Sequence, residues 1–165
     1  PGAKDVGIEM YTLSKSFNMA GWRVGFAAGN PDMIEALNLI QDHLFVSVFP
    51  AIQDAAIAAL NSDQQTVRNL VGLYERRRNQ FFAAARKIGW EPYPSGGSFY
   101  AWMPVPAGYT SESFADLLLD QAAVAVAPGN GFGAGGEGYV RVGLLIDEPR
   151  LTEACQRIAK LHLFD

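Results

Sequence analysis

The residues whose chemistry stands out lie near the beginning of the chain, in the segment YTLSKSFNMAGWRVGF at residues 11–26. Its lysine, Lys15, is surrounded in sequence by apolar residues, which predicts an amine partly removed from water. These neighbours are Leu13, Phe17 and Met19. Desolvation disfavours the charged form of an amine, and a neutral amine is a nucleophile. The characteristic use of such a lysine is a Schiff base with an aldehyde or ketone.

Groups suited to binding an anion accompany this lysine. Hydroxyls are present at Thr12, Ser14 and Ser16, and a guanidinium follows at Arg23, eight residues after the lysine. Hydroxyl and guanidinium groups donate strong hydrogen bonds to phosphate oxygens. An amine for an aldehyde, close to donors for a phosphate, matches two functional groups of pyridoxal phosphate.

A second informative stretch reads PGNGFGAGGEGYVRVGLL. It contains the pattern GxGxxG at Gly131, Gly133 and Gly136, which in dinucleotide-binding sites leads into a helix. Here the glycines lead into residues 139–145, an apolar run that predicts a strand. We therefore reject a dinucleotide site.

One arginine, Arg141, lies within this predicted strand. It alternates with apolar neighbours, and the strand is expected to be buried. A buried guanidinium without a partner is unfavourable, so Arg141 needs an anion. A structural ion pair within the protein is the alternative to a bound ligand.

These two stretches resemble the signatures of the class I and II aminotransferases, pyridoxal-phosphate enzymes of the fold type I, or aspartate aminotransferase-like, superfamily. The resemblance implies that Lys15 is the catalytic, Schiff-base lysine. It implies that Thr12 and Ser14 hydrogen-bond the cofactor phosphate and that Arg23 pairs with it. It also implies that Arg141 holds the α-carboxylate of the substrate. The family usually has serine or glycine at the place of Thr12, and threonine retains the hydroxyl.

The fold implied by the resemblance is of the α/β class. Residues 1–61 would be the end of the large pyridoxal-phosphate-binding domain, and residues 62–165 the small α+β C-terminal domain. In relatives the lysine follows a long N-terminal portion that carries further cofactor contacts, whereas here it is residue 15. We therefore expect the missing N-terminal portion of the same enzyme as a partner, together with a homodimer, and an inactive isolated fragment.

Apolar periodicity predicts the elements that position these residues. Two strands of a mostly buried sheet are expected over residues 8–12 and 23–28, with Lys15 between them. Further strands are expected over residues 99–103, 124–127 and 139–145, and helices over about residues 31–43, 51–60, 62–88, 113–122 and 147–161.

Side-chain signals mark where helices begin. Asn30 followed by Pro31 is typical of a helix start, and Ser62 with Gln65 forms a capping box before the long helix. The residues predicted to face the core from the first of these helices are Met33, Leu37, Ile40 and Leu44. On the long helix, residues 76–78 are three arginines, interpreted as a solvated face with ion pairs to Glu75.

The apolar loop FVSVFP at residues 45–50 bears on the substrate. In relatives this region reaches the active site of the neighbouring subunit, and enzymes that accept dicarboxylic substrates have an arginine there. An apolar loop favours an apolar or thioether side chain, because a buried carboxylate without a partner is unfavourable. The alternative is that these residues belong to the core.

Composition limits the class of protein. The chain has 165 residues, of which 49% are apolar, so it can bury a core. A net charge of −4 gives no electrostatic reason for binding nucleic acid or an anionic membrane, and no apolar run is long enough to span a bilayer. The single cysteine, Cys155, is interpreted as a small buried apolar residue, and a cytoplasmic location is predicted. No metal is expected.

The function implied is amino-group transfer between an amino acid and a 2-keto acid. Three alternatives remain open at the level of sequence. The chain could belong to a carbon–sulfur lyase of the same fold, to the aminotransferase-like sensor domain of a transcriptional regulator, or to a catalytically silent assembly module.

Overall fold

A short helix, α1 (Ala3–Val6), leads into an antiparallel hairpin of β1 (Ile8–Thr12) and β2 (Gly25–Gly29) in the computed structural model, which describes residues 1–164. The sequence predicts a mostly buried sheet here, and this prediction is wrong. All residues of β1 are exposed, and β2 is exposed or half-buried. The reason is that this sheet has only two strands, and no layer within the described residues covers it.

Helix α2 (Pro31–Ile40) begins as predicted, because the Asn30 side chain accepts a hydrogen bond from the N–H of Met33 at 3.0 Å. One π-helical turn, Gln41–Phe45, continues it. The predicted core face is wrong, since no residue of α2 is buried within residues 1–164 and Leu37 is only half-buried. A helix beside a two-stranded hairpin has too little apolar surface to pack against.

Helix α3 (Pro50–Leu60) supplies the small core of this part of the chain. Its Ala56 packs with Leu13 and Met19 from the segment between β1 and β2, and all three side chains are buried. This contact holds the segment that carries Lys15 against α3.

Helix α4 (Gln65–Lys87) starts three residues after the predicted cap. The carboxylate of Asp63, and not the hydroxyl of Ser62, accepts the hydrogen bond from the N–H of Gln65, at 2.9 Å. The chain divides into two compact units inside this helix: the first unit is Pro1–Leu70, and the second unit begins at Val71. The domain boundary expected after residue 61 stays a prediction.

The second unit is built on a three-stranded antiparallel sheet covered by helices. Its strands, in the order β3, β5, β4, are β3 (Tyr100–Pro104), β5 (Tyr139–Gly143) and β4 (Ala127–Pro128), and its further helices are α5 (Ser111–Ala122) and α6 (Glu148–Ala159). Alternate strand residues are buried on one face, as the pleat requires. The large side chains buried against that face include Phe81, Trp90, Phe114, Leu118, Leu151 and Ile158.

Cys155 lies inside this core on α6 and is 1% exposed. Burial raises the pKa of its thiol to about 11, so the group is a neutral thiol at physiological pH. Its interpretation as a small buried apolar residue is confirmed.

Two of the three arginines on α4 bind backbone rather than lying on a solvated face. Arg78 forms the expected ion pair with Glu75 at 3.5 Å, but it is half-buried and also donates to the carbonyl of Ser95 at 3.3 Å. Arg77 is half-buried as well and donates to the carbonyl of Leu144 at 3.3 Å. The ion pair to Glu75 is therefore confirmed, but the interpretation of a solvated face is wrong for Arg77 and Arg78, because each also binds a backbone carbonyl that is distant in sequence.

No helix among residues 1–164 combines the length and the apolar character needed to cross a membrane. In the same residues, no cluster of histidine, cysteine and acidic side chains is suited to holding a metal ion.

Adjacent leucines on α5 provide a matched test of the second core. Leu118 is 0% exposed and Leu119 is 54% exposed. In the complete protein that contains this sequence, Leu118→Ala should lower the free energy of unfolding by about 2–5 kcal/mol, because it leaves a cavity. Leu119→Ala, with the same change in helix propensity, should lower it by less than about 1 kcal/mol. Equal effects in urea denaturation would contradict the described packing.

Candidate active site

The turn between β1 and β2 carries the lysine and its polar companions. The N–H of Leu13 donates to the carbonyl of Val24 at 3.4 Å, which extends the pairing of the two strands by one step. Thr12 is paired with Gly25 in the strand register. The residues on either side of the turn are thereby held at one end of the hairpin.

The hydroxyls of Thr12 and Ser14 lie side by side at this end. Thr12 Oγ1 donates to Ser14 Oγ at 2.9 Å, and the N–H of Ser14 donates back to Thr12 Oγ1 at 3.2 Å. Arg23 closes the other side of the turn with a left-handed φ of 51°, and its Nη1 donates to the carbonyl of Ala20 at 3.1 Å. The structure thus brings the Thr12 and Ser14 hydroxyls together and places Arg23 at the other side of the same turn.

Lys15 lies in the same turn and is exposed. The prediction that it is partly desolvated by its apolar neighbours is wrong for residues 1–164. Leu13 and Met19 are buried against α3, and Phe17 is half-buried beside them, whereas Lys15 lies outside this contact. The apolar residues close to Lys15 in sequence do not cover it, because they lie on one side of the turn and Lys15 lies on the other.

Arg141 lies in the second unit, on β5, opposite Trp102 of β3 and Ala127 of β4. It is half-buried between the buried residues Val140 and Val142, in agreement with the predicted alternation. Within residues 1–164, no carboxylate lies within ion-pair distance of its guanidinium. The alternative of a structural ion pair therefore has no support in the described residues.

Aromatic rings are the neighbours of this guanidinium. Its central carbon, Cζ, lies 4.1 Å from the ring centroid of Tyr100 and 4.0 Å from that of Phe132. The sequence did not single out either ring as a neighbour of Arg141. A signal was present for Tyr100, because alternation along β3 places it on the face opposite the buried residues Ala101 and Met103.

The glycine-rich segment forms two 3-10 turns, Gly129–Phe132 and Ala134–Gly136, and then enters β5. No helix follows the glycines, so the rejection of a dinucleotide site is confirmed. The backbones of Gly129 and Gly136 lie in contact, and a Cβ on either would overlap the carbonyl oxygen of the other. Glycine is therefore required at both positions.

Hydrogen bonds tie this segment to the start of α5. The N–H of Ser111 donates to the Glu137 carboxylate at 2.9 Å, and the N–H of Gly138 donates to Ser111 Oγ at 3.0 Å. The hydrogen bond from Ser111 holds the pKa of the Glu137 carboxyl below its usual range. This anchoring, which the sequence did not predict, holds the end of the glycine-rich segment just before β5.

Residues 2–158 of the chain match the family described as aminotransferase class I and II. The chain belongs to this family. Its members are pyridoxal-phosphate-dependent enzymes, so the resemblance inferred from the two sequence stretches is confirmed, as is the cofactor class.

Individual aminotransferases match nearly the whole chain. An L-glutamine–4-(methylsulfanyl)-2-oxobutanoate aminotransferase of Bacillus subtilis (strain 168) is 64% identical over 163 residues, covering 99% of this chain and 41% of the relative. An LL-diaminopimelate aminotransferase of Trichormus variabilis is 47% identical over 158 residues, covering 96% of this chain and 40% of the relative.

A solved aminotransferase structure from Staphylococcus aureus has a TM-score of 0.93 at 42% identity, covering 99% of this chain and 44% of that one. This likeness confirms the α/β class and fold type I. The chain spans about two-fifths of the length of the curated relatives it matches.

Two glycines near the lysine turn provide a test of the hairpin. A Cβ on Gly25 would overlap the carbonyl oxygen of Tyr11, whereas a Cβ on Gly21 would meet no atom within 4 Å. Gly25→Ala should therefore lower the free energy of unfolding of the complete protein by about 1–3 kcal/mol through overpacking. Gly21→Ala should leave it unchanged or slightly raised. A Gly25→Ala protein as stable as the Gly21→Ala protein in urea denaturation would contradict the described strand register.

Proposed function

We propose that the complete protein containing this chain is a pyridoxal-phosphate-dependent aminotransferase that moves an amino group between an amino acid and a 2-keto acid. The observation that carries the proposal is the end of the hairpin, where an accessible lysine shares a turn with two hydroxyls and an arginine. Membership of the aminotransferase family supports the same reaction class.

The donors at this end of the hairpin fit a phosphate. The Thr12 and Ser14 hydroxyls lie 2.9 Å apart, so both can donate to one group of oxygens once the Thr12 hydroxyl hydrogen rotates away from Ser14, and Arg23 adds a positive charge. We assign the binding of the cofactor phosphate to these three residues. Thr12 is the last residue of β1, and Ser14 and Arg23 lie in the turn that follows, which is held by the packing of Leu13 and Met19 against Ala56.

Lys15 is assigned the covalent and proton-transfer roles. Pyridoxal phosphate, when bound, supplies an aldehyde and a ring that accepts electron density from the substrate. Lys15 would hold the cofactor through that aldehyde carbon. With a substrate bound, the Lys15 amine would be the general base that takes the proton from the substrate Cα and the acid that later returns a proton. Lys15 is exposed in the turn.

Arg141 is assigned the α-carboxylate of the substrate. Its guanidinium has no acidic partner within the described residues, and its planar donors suit the two oxygens of a carboxylate. Holding the carboxylate fixes the orientation of the Cα–H bond that reacts.

For the substrate side chain we propose an apolar or thioether group. The apolar loop at residues 45–50 is exposed, with Val46 at a positive φ of 64°, so its side chains are not part of a core within residues 1–164. An exposed apolar loop of this kind can line a site in an assembly. The Bacillus subtilis relative is named for a thioether keto acid, which agrees with such a lining.

The partners proposed are the remainder of the enzyme and a second subunit. Large apolar side chains of the first unit are exposed. Exposed apolar surface of this kind indicates a site of interaction with another segment or subunit. The most exposed are Val6, Met10, Leu44, Phe45, Val46 and Phe49. The length of the relatives, more than twice that of the chain, provides the segment that would cover part of it. A cytoplasmic location remains our proposal.

Lys15→Ala tests the central assignment. In the complete protein, borohydride reduction in the presence of pyridoxal phosphate, followed by peptide mass spectrometry, should label Lys15. The Lys15→Ala variant should lose this label, and its transamination rate should fall by at least about 10²–10⁴-fold, since the general base is removed. Lys4→Ala, which removes another exposed lysine of the first unit, should behave as the unmodified protein. A label on a different lysine would show that the assignment is wrong.

A keto-acid screen tests the proposed side-chain class. With the complete protein, kcat/KM for 4-(methylsulfanyl)-2-oxobutanoate should exceed that for oxaloacetate by at least about 100-fold, because a second carboxylate would lack a partner in an apolar lining. The control is an unbranched apolar keto acid of similar length, and its kcat/KM should be close to that of the thioether keto acid. Preference for oxaloacetate would contradict the assignment of the loop.

A further inference from the structure

Two aromatic rings contact the Arg141 guanidinium so closely that we infer one ring on each of its faces. The distances from Cζ to the ring centroids are 4.1 Å for Tyr100 and 4.0 Å for Phe132, each well inside the range of a cation–π contact. Tyr100 comes from β3 and Phe132 from a turn of the glycine-rich segment. Two separate elements therefore meet on one side chain.

The two rings are themselves held in place. Tyr100 contacts Phe99 with ring centroids 4.6 Å apart, and Phe132 contacts Trp102 edge-on at 6.0 Å. The turn that carries Phe132 is tied down further, because Asn130 donates to the Glu112 carboxylate at 3.0 Å. The two rings, which together form a slot around the guanidinium, are thus each held by a further contact.

This slot leaves only the edge of the guanidinium available. The N–H donors of a guanidinium lie in its plane, so a ligand must approach between the two rings. A carboxylate is planar and can lie in that plane with both oxygens accepting hydrogen bonds. A phosphonate is tetrahedral and would direct an oxygen out of the plane, toward the negative face of a ring.

We propose that Tyr100 and Phe132 are positioning residues that make the Arg141 site selective for planar carboxylates over tetrahedral anions. This inference rests on the proposed function, since it takes Arg141 as the carboxylate-binding residue. Neither ring needs to touch the reacting atoms.

The test uses three ligands with the same alkyl chain: pentanoate, butylphosphonate and pentanamide. Their dissociation constants are measured by calorimetry on the complete protein loaded with cofactor. We expect pentanoate to bind more tightly than butylphosphonate. In both Tyr100→Leu and Phe132→Leu, pentanoate should bind roughly 3- to 30-fold more weakly. The ratio of the butylphosphonate dissociation constant to the pentanoate dissociation constant should fall toward one. The dissociation constant of pentanamide should not change.

Kinetics supply a second readout. In both leucine variants the KM for the amino donor should rise while kcat stays nearly constant, because the carboxylate is held equally in the ground and transition states. Tyr100→Phe should restore the wild-type preference, since it keeps the ring. Tyr109→Leu, which removes a ring that contacts Phe114 and lies outside this slot, is the matched control and should change neither quantity.

The outcomes distinguish the role of the two rings from the role of Arg141 in binding the carboxylate. Wild-type preference in both leucine variants, together with loss of pentanoate binding in Arg141→Met, would overturn the slot and leave the role of Arg141 standing. Unchanged pentanoate binding in Arg141→Met would overturn the role of Arg141 itself. If Tyr100→Leu fails to fold, Phe132→Leu decides alone, because Phe132 is half exposed to solvent. Loss of the preference in Tyr100→Phe would assign the effect to the hydroxyl and overturn the role of the ring.

Discussion

The contact of Leu13 and Met19 with Ala56 of α3 is the constraint on which the candidate cofactor site depends. These buried apolar side chains pack together and hold the turn between β1 and β2 against α3. The same turn can then present Lys15 on its exposed side and keep Thr12, Ser14 and Arg23 at one end of the hairpin. A short segment carries so many polar groups without losing its shape because a few buried side chains determine its path.

The two units differ in how they bury apolar surface. The second unit covers a three-stranded sheet with α4, α5 and α6, and its buried side chains form one contiguous cluster. The first unit has two strands and a small cluster, so most of its apolar side chains are exposed. Because burial of apolar surface is the main stabilising term in folding, the first unit has less stability of its own. This difference agrees with a chain that spans about two-fifths of the length of its relatives.

Local signals in the sequence predicted the elements well but predicted burial poorly. Asn30 caps its helix as its residue type indicates, and the alternation around Arg141 identified β5. The exposure of β1 and α2 could not be predicted, because apolar periodicity shows which face seeks a partner and not whether a partner lies within the chain. The hydrogen bond from Arg77 to Leu144 could not be predicted either, since it joins residues that are 67 positions apart in sequence.

The surroundings of Arg141 explain how a half-buried guanidinium can be kept without a carboxylate partner among the described residues. A carboxylate partner would stabilise the guanidinium but would neutralise its charge and occupy its donors. Aromatic faces offset part of the desolvation through the ring quadrupole, and they accept no hydrogen bond in the guanidinium plane. The charge and the in-plane donors of Arg141 therefore remain available. The contacts with Tyr100 and Phe132 also restrict the rotation of the Arg141 side chain before any ligand binds. The conformational entropy of this side chain is therefore lost when the protein folds and not when a carboxylate binds.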